Sequence, residues 1–374
     1  MIFADAILAH HEFYPLAVDA YVRDSQCFGA TQTNVLGAHV DWLSADGMLR
    51  RILFLDVEND CLREANLISP IYPDSVQFHS LGRNEQNLHQ QWSDTFSCPQ
   101  ANPYGPSSLA DDKVATLAGW SALGIEVPAF AKLAEGDFGG AWRFVKTCRE
   151  IVAKPNQSTE GDGVDYFKAG QNNFKMDFAR HLETIWEQGD AVIQQRRDGL
   201  IFMDGRSGTR HNLALRLNLA FDGRGHHVES GYVQLARDTG HPAARSQGGR
   251  IVSPSEIIHG LVSRTDPSSP ILSMESPDWI RICDQAALAA SLFRGLMLVG
   301  IDVLLDVDAD GILMPVFLEA NPRPAGLCHS RLLEGFPGPC PAPNGVSLKL
   351  WDGLELLRGK PTVNMPKVAF EDES

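Results

Sequence analysis

At 374 residues and 41.0 kDa the chain is long enough for two or three domains with a sizeable core. Its 44% apolar and 21% charged residues are ordinary for a globular protein, and no apolar run reaches the length of a membrane-crossing helix. The formal net charge of −15 argues against a general nucleic-acid or anionic-membrane surface, though not against a local basic pocket.

The start, MIFADAILAHHEFYP, has an acid inside a short apolar stretch and no basic residue, unlike a signal peptide. The seven cysteines are scattered with no CxxC pair, a pattern of reduced thiols, so a cytoplasmic setting is expected. The pairs His10-His11 and His226-His227 lack metal-site spacing. Ile2–Leu8 and Arg51–Val57 read as buried strands, the second followed by a loop and a short helix. Tyr72 to Tyr104 is polar and proline-rich and reads as a linker.

Ser108–Pro128 reads as a helix, with Ser108 or Asp111 as its cap and Gly124 as its stop. Lys113 in its first turn is, on this segment alone, a solvated lysine. Ile151–Lys154 reads as a strand and Val164–Phe167 as its return. The loop between them holds Ser158, Thr159, Gly161 and Gly163, and glycines there let backbone N–H groups approach phosphates closely. An ordinary hairpin has the same outline, and no Walker A motif is present. A helix over Asp177–Gly189 then leads to a strand over Ala191–Gln195.

Residues 200–252 read as an antiparallel meander with turns at Asp204-Gly205, Ser207-Gly208 and Asp222-Gly223. On Asn212–Phe221, Ala214, Arg216, Asn218 and Ala220 share one face and the intervening leucines the other; Arg216 is thus a candidate or merely a surface arginine. Gly248-Gly249-Arg250 is a second possible substrate loop. Ser276–Leu298 reads as a helix capped by Ser276, with Pro277 at its first position and a buried stripe of Ile280, Cys283, Ala287, Leu288, Ser291 and Leu292.

The chain then enters the segment of most chemical interest. Ile301–Val307 and Ile312–Leu318 read as strands joined by the turn Asp308-Ala309-Asp310-Gly311. Glu319 and Asn321, two apart, point the same way, and the hairpin folds Asp302 back towards them. Pro315 implies an edge position or a bulge. Two carboxylates and an amide oxygen suit a hard divalent cation such as Mg²⁺. Beyond it, Leu327–Leu333 and Val346–Leu357 read as helical and the tail FEDES as disordered.

The hairpin sequence GIDVLLDVDADGILMPVFLEANPRPAG resembles the metal-binding hairpin of the ATP-grasp superfamily, which includes D-alanine–D-alanine ligase, biotin carboxylase and glutathione synthetase. The helix starting at Asp112-Lys113 with its Gly-Ile-x-Val-Pro turn, the strand–glycine loop–strand over 150–167 and the strand Ala191–Gln195 match other family elements in the same order. The resemblance implies an α+β ATP-grasp fold in which two subdomains clamp ATP. It places a small N-terminal α/β domain at residues 1–107, the ATP-grasp domain at 108–345, and a C-terminal helix and tail at 346–374.

It further implies that Asp302, Glu319 and Asn321 hold Mg²⁺ (or Mn²⁺) on ATP and that Lys113 and Lys154 neutralise phosphate. Ser158, Thr159, Gly161 and Gly163 would form the phosphate lid, while Gln194, or failing that Gln195, would meet adenine and Asp198 the ribose. Arg323 and Arg216 would act on the transferring group. The expected reaction is ligation of a small-molecule carboxylate to an amine or thiol through an acyl phosphate, releasing ADP, with a homodimer as the candidate assembly. A phosphotransferase of the same fold and a non-catalytic nucleotide-binding protein are the alternatives.

Overall fold

The computed structural model describes residues 4–9, 34–56, 59, 61–79, 86–158, 161–197, 199–244, 247–266, 272–308 and 310–323. Thr159, Asp198 and the two helices expected after Gly326 lie outside them.

The N-terminal part is built on a six-stranded sheet of order β4-β3-β2-β1-β5-β6. Its strands are β1 (Ala4–Ala9), β2 (Asn34–His39), β3 (Leu49–Asp56), β4 (Cys61–Ile71), β5 (Ser75–His79) and β6 (Gln100–Ala101). β1 runs parallel to β2 and β5, and β5 to β6, whereas β3 is antiparallel to β2 and β4. Leu36, Ile52, Val76, Phe78 and Phe96 fill its core. Two expectations fail here. The segment after Val57 continues as strand β4 rather than a helix. The supposed linker contains β5, α1 (Gln86–Thr95) and β6; its prolines flank elements rather than mark a loose connection.

The helix expected from Ser108 is two helices, α2 (Tyr104–Asp111) and α3 (Lys113–Ala122). Asp112 breaks them with extended backbone, and its side chain accepts the N–H of Ala115 at 2.9 Å, capping α3. Gly124 follows at φ 75°, the left-handed conformation that a helix stop favours.

Next comes a four-stranded antiparallel sheet of order β7-β10-β8-β9, formed by β7 (Phe130–Leu133), β8 (Glu150–Pro155), β9 (Asp165–Lys168) and β10 (Ala191–Gln195). Helices α4 (Phe138–Thr147) and α5 (Phe174–Trp186) cover one face. Strand alternation sorts the side chains. Ile151, Ala153, Ala191 and Ile193 join the helices in an apolar core, which leaves Val152, Lys154 and Gln194 on the open face.

The third part holds a small sheet of β11 (Leu200–Met203), β12 (Arg210–His211) and β16 (Leu261–Ser263), in the order β12-β11-β16. Its larger sheet has the order β15-β14-β13-β17-β18 and is antiparallel throughout. The strands are β13 (Leu213–Phe221), β14 (His226–Leu235), β15 (Arg250–Val252), β17 (Leu298–Val307) and β18 (Leu313–Asn321). A short helix α6 (Pro254–Ile257) and the longer α7 (Ser276–Ala290) complete this part. Leu215, Leu217, Leu219, Ile301, Val303 and Phe317 form the core face of the large sheet.

α7 begins one residue early, with Glu275 as its cap residue; Asp278 accepts the Glu275 N–H at 3.1 Å. Its buried side is Trp279, Ile282, Cys283, Ala286, Ala289 and Ala290, not the stripe expected, and Ile280 and Leu288 are exposed. The alanines explain the choice. They let the helix lie close enough for Trp120 Nε1 to donate to the Ala289 carbonyl at 3.0 Å.

Candidate active site

The site is a cleft between the open faces of the four- and five-stranded sheets. Its floor is a cross-strand row. Arg216 on β13 stands opposite Asp302 on β17, and Asp302 stands opposite Glu319 on β18. One irregularity makes this row. Val303 pairs with Phe317 but Asp302 with Glu319, so Leu318 is an extra residue in the edge strand. Strict alternation would send Phe317 and Glu319 the same way. The bulge lets Phe317 enter the core while Glu319 lines the cleft. Asn321, opposite Gly300, lines it too.

Two charges of the floor are almost completely withdrawn from water, and Glu319 is half-buried. Arg216 is 8% and Asp302 6% exposed. The guanidinium grips the carboxylate at two points, Nε on Oδ1 and the terminal nitrogen on Oδ2 at 2.8 Å. Burial raises the Asp302 carboxyl above its usual range, Arg216 opposes that rise, and the facing Glu319 charge adds to it. Burial would raise Glu319 as well, but the cations Lys154, Lys113 and Arg216 outweigh it and hold that carboxyl at about 2. Lys154 Nζ lies 3.2 Å and Lys113 Nζ 4.0 Å from the same Glu319 oxygen.

The roof carries Lys154, Val152 and Gln194 on neighbouring strands, Gln194 opposite Val152. Gln194 is 2% exposed, and its Nε2 has no hydrogen-bond partner among the described residues. A buried amide donor without a partner is costly unless a ligand meets it. Gln195 also lines the cleft. From the glycine loop, Gly161 and Val164 line it as well. Gly161 and Gly163 have φ of 72° and 68°, and a Cβ on Gly163 would fall 2.8 Å from the Pro155 ring. Lys113 Nζ donates to the Ser158 carbonyl at 2.7 Å, and Gln247 to the Gly161 carbonyl at 2.9 Å.

The structure therefore brings together Lys154, Gly161, Gln194, Gln195, Arg216, Asp302, Glu319 and Asn321 in one lining, with Lys113 and Ser158 immediately behind. Two expected residues lie elsewhere. Arg250 opens β15 and sits within 4.0 Å of Asp204 and Glu256, and Gly249 packs on the Leu235 and Ala244 backbone, so Gly248-Gly249-Arg250 leads into that strand instead of lining the cleft. Arg323 is buried against the N-terminal part instead of lining the cleft. It donates to Asp111 at 2.5 Å and faces His89 Nδ1 at 3.3 Å.

That contact sets the tautomer of His89. Nδ1 accepts from Arg323, so Nε2 carries the proton and donates to the Asn102 carbonyl at 3.1 Å. Burial, and then the Arg323 charge, push the imidazole down to about 3, with the Asn102 carbonyl opposing. Between that value and the ordinary 6.5 the unfolded chain binds a proton that the folded chain does not. Stability should therefore fall as pH drops below 6.5, by up to about 1.4 kcal/mol per pH unit from this group. His89→Gln should flatten this dependence in urea unfolding at pH 7 and pH 5; an identical slope in both proteins would refute it.

Other lining residues had little sequence signal. The Arg196 guanidinium stacks 4.2 Å over the Tyr166 ring and donates to the Thr239 carbonyl at 3.2 Å. Arg197 pairs with Asp306 at 3.1 Å and Glu126 at 2.9 Å. The doublet following Ala191–Gln195 was the available sign.

The acids fit a hard divalent cation. Among the described residues no three His, Cys, Asp or Glu side chains gather, so the donor set is two carboxylates and one amide oxygen, as Mg²⁺ accepts and zinc rarely does. Arg216 engages both Asp302 oxygens, yet each keeps lone-pair capacity for a second partner.

No protein-family model matches the chain, and no curated protein matches it in sequence. Solved structures do match, over nearly the whole length, and they show that the chain has the fold of ATP-grasp ligases. It is similar to a D-cycloserine synthetase (TM-score 0.58, 16% identity, 95% of this chain and 99% of that one). It is likewise similar to the VanG D-Ala:D-Ser ligase of Enterococcus faecalis (TM-score 0.57, 12% identity, 96% and 100% covered). The D-alanine–D-alanine ligase of Coxiella burnetii gives a TM-score of 0.56 at 11% identity, with 95% and 96% covered.

Proposed function

We propose that the protein is an ATP- and Mg²⁺-dependent ligase that joins a small-molecule carboxylate to an amine and releases ADP and phosphate. The observation that carries this is the Arg216–Asp302–Glu319 row facing Lys154 across a cleft. A nucleotide seated there places its phosphates against Lys154 and the glycine loop and its base near Gln194. A cation held by Asp302, Glu319 and Asn321 supplies neutralisation of phosphate charge. Arg216 stabilises the charge that develops as the γ-phosphoryl group moves to the carboxylate, and the cleft excludes water from the acyl phosphate so formed. Catalysis of this kind is positioning plus electrostatics. The solved structures of this fold named above carry ligase and synthetase names, which supports bond formation over simple phosphoryl transfer.

The test exploits the acyl phosphate. Protein, ATP, Mg²⁺ and hydroxylamine are incubated with a panel of amino acids, short peptides and other carboxylic acids. Hydroxamate should appear in step with ADP for at least one acid. AMP with pyrophosphate would overturn the acyl-phosphate reading, and ADP with a stable phosphorylated alcohol would make the protein a kinase.

A further inference from the structure

Asn102, whose carbonyl holds His89, connects the N-terminal sheet to α2. It is fully buried and adopts φ 62°, a conformation uncommon for any residue but glycine. Its side chain uses its whole hydrogen-bonding capacity on one target. Nδ2 donates to the Leu298 carbonyl at 2.7 Å and to the Pro322 carbonyl. Oδ1 accepts the Met297 N–H at 2.8 Å and the Leu298 N–H at 3.1 Å.

Those groups are the entry of β17 and the exit of β18. The pairing between these strands ends at Gly300 and Asn321, so the Asn102 amide stands where the next rung would be. It closes the open end of the hairpin that carries Asp302, Glu319 and Asn321. Asn102 is itself held, because its carbonyl accepts from His89 Nε2 at 3.1 Å and Ser107 Oγ at 3.2 Å.

We infer that Asn102 is a positioning residue for the metal-binding hairpin: it fixes the open end so that Asn321 stays beside Asp302, where the amide nitrogen now lies 3.4 Å from the carboxylate. This rests on the reading that the three hairpin residues hold the divalent cation. The N-terminal sheet is thereby part of the metal site's geometry without contributing a ligand.

The test titrates Mn²⁺ into the full-length protein saturated with a non-hydrolysable ATP analogue, reading free Mn²⁺ by electron paramagnetic resonance. Asn102→Gly relieves the backbone but removes all four side-chain bonds. Asn102→Asp keeps size and the two acceptor bonds while losing both donors, and it carries the test if the glycine variant does not fold. Each should weaken Mn²⁺ binding roughly 10–100-fold, as loss of a supporting partner behind metal ligands does, with analogue affinity in the absence of metal unchanged. A folded Asn102→Asp protein with wild-type Mn²⁺ affinity would overturn the inference. So would an equal loss of metal-free analogue binding, which marks a general structural role. Glu319→Gln separates the two levels: if it too binds Mn²⁺ normally, the metal-site reading itself fails.

Discussion

Glu319→Gln is expected to lower turnover roughly 10²–10⁴-fold, the rate equivalent of losing several kcal/mol of charge stabilisation at a bound metal. The substitution keeps shape and volume but removes the carboxylate that Lys154 and Lys113 both approach. In the protein without nucleotide, those buried ammonium groups then lose the Glu319 charge, so stability should fall as well. The pH dependence has a definite sign. A carboxyl held at about 2 in the folded chain, against 4.5 ordinarily, contributes stability above pH 4.5 that is lost as pH falls towards 2. The variant should lose that part of the acid dependence. ATP phosphates compensate the lysines, so an added non-hydrolysable ATP analogue should restore much of the stability without restoring turnover. ADP release is followed by coupled assay and stability by urea unfolding. Wild-type turnover would remove Glu319 from the metal site.

The parts of this site that were legible in the sequence are those set by local pattern. The hairpin shows itself through strands of Val, Ile and Leu around Asp308–Gly311, and Pro315 implies an edge position or a bulge, of which the structure has an edge strand with its bulge at Leu318. Glu319 and Asn321 follow from alternation along β18. Lys154 and Gln194 were expected only from the resemblance, and the structure puts them on the open face of β8 and β10 because Ile151, Ala153 and Ile193 take the other. What was illegible depends on strands distant in the chain. Nothing local says that Arg216 meets Asp302, 86 residues away. Arg323, next to Asn-Pro, reads as a residue of the reacting site but turns to Asp111, a partner visible only once α2 packs beside β18. The region of residues 72–101 misled for a different reason. β5 is short, and α1 has only Leu88 and Trp92 as large apolar residues, so neither carries a strong periodic signal and its prolines dominate.

Arg216→Met should be the most destabilising single change in the site. The arginine packs over Tyr232, its guanidinium 5.9 Å from the ring centre, so methionine keeps part of the apolar contact while removing the charge. Asp302 then remains a buried carboxylate without its bidentate partner. Breaking a buried ion pair from one side costs about 3–5 kcal/mol, a large share of a domain's net stability. The loss should depend on pH in the same direction as that at Glu319, but through a carboxyl whose value is raised instead of lowered. Asp302 is already raised by burial, and without Arg216 it rises further, so the folded chain holds a proton that the unfolded chain releases. Stability is then greatest below the ordinary carboxyl value and falls as pH rises through the window up to the folded value. The variant's deficit should accordingly be smallest near pH 4 and largest at neutral pH. Arg216→Met/Asp302→Asn removes the stranded charge and should recover most of the stability while remaining inactive. Urea unfolding of the three proteins at pH 4 and pH 7, without Mg²⁺, checks both points. A double variant no more stable than Arg216→Met would mean that the arginine supports the sheet through packing and not through Asp302.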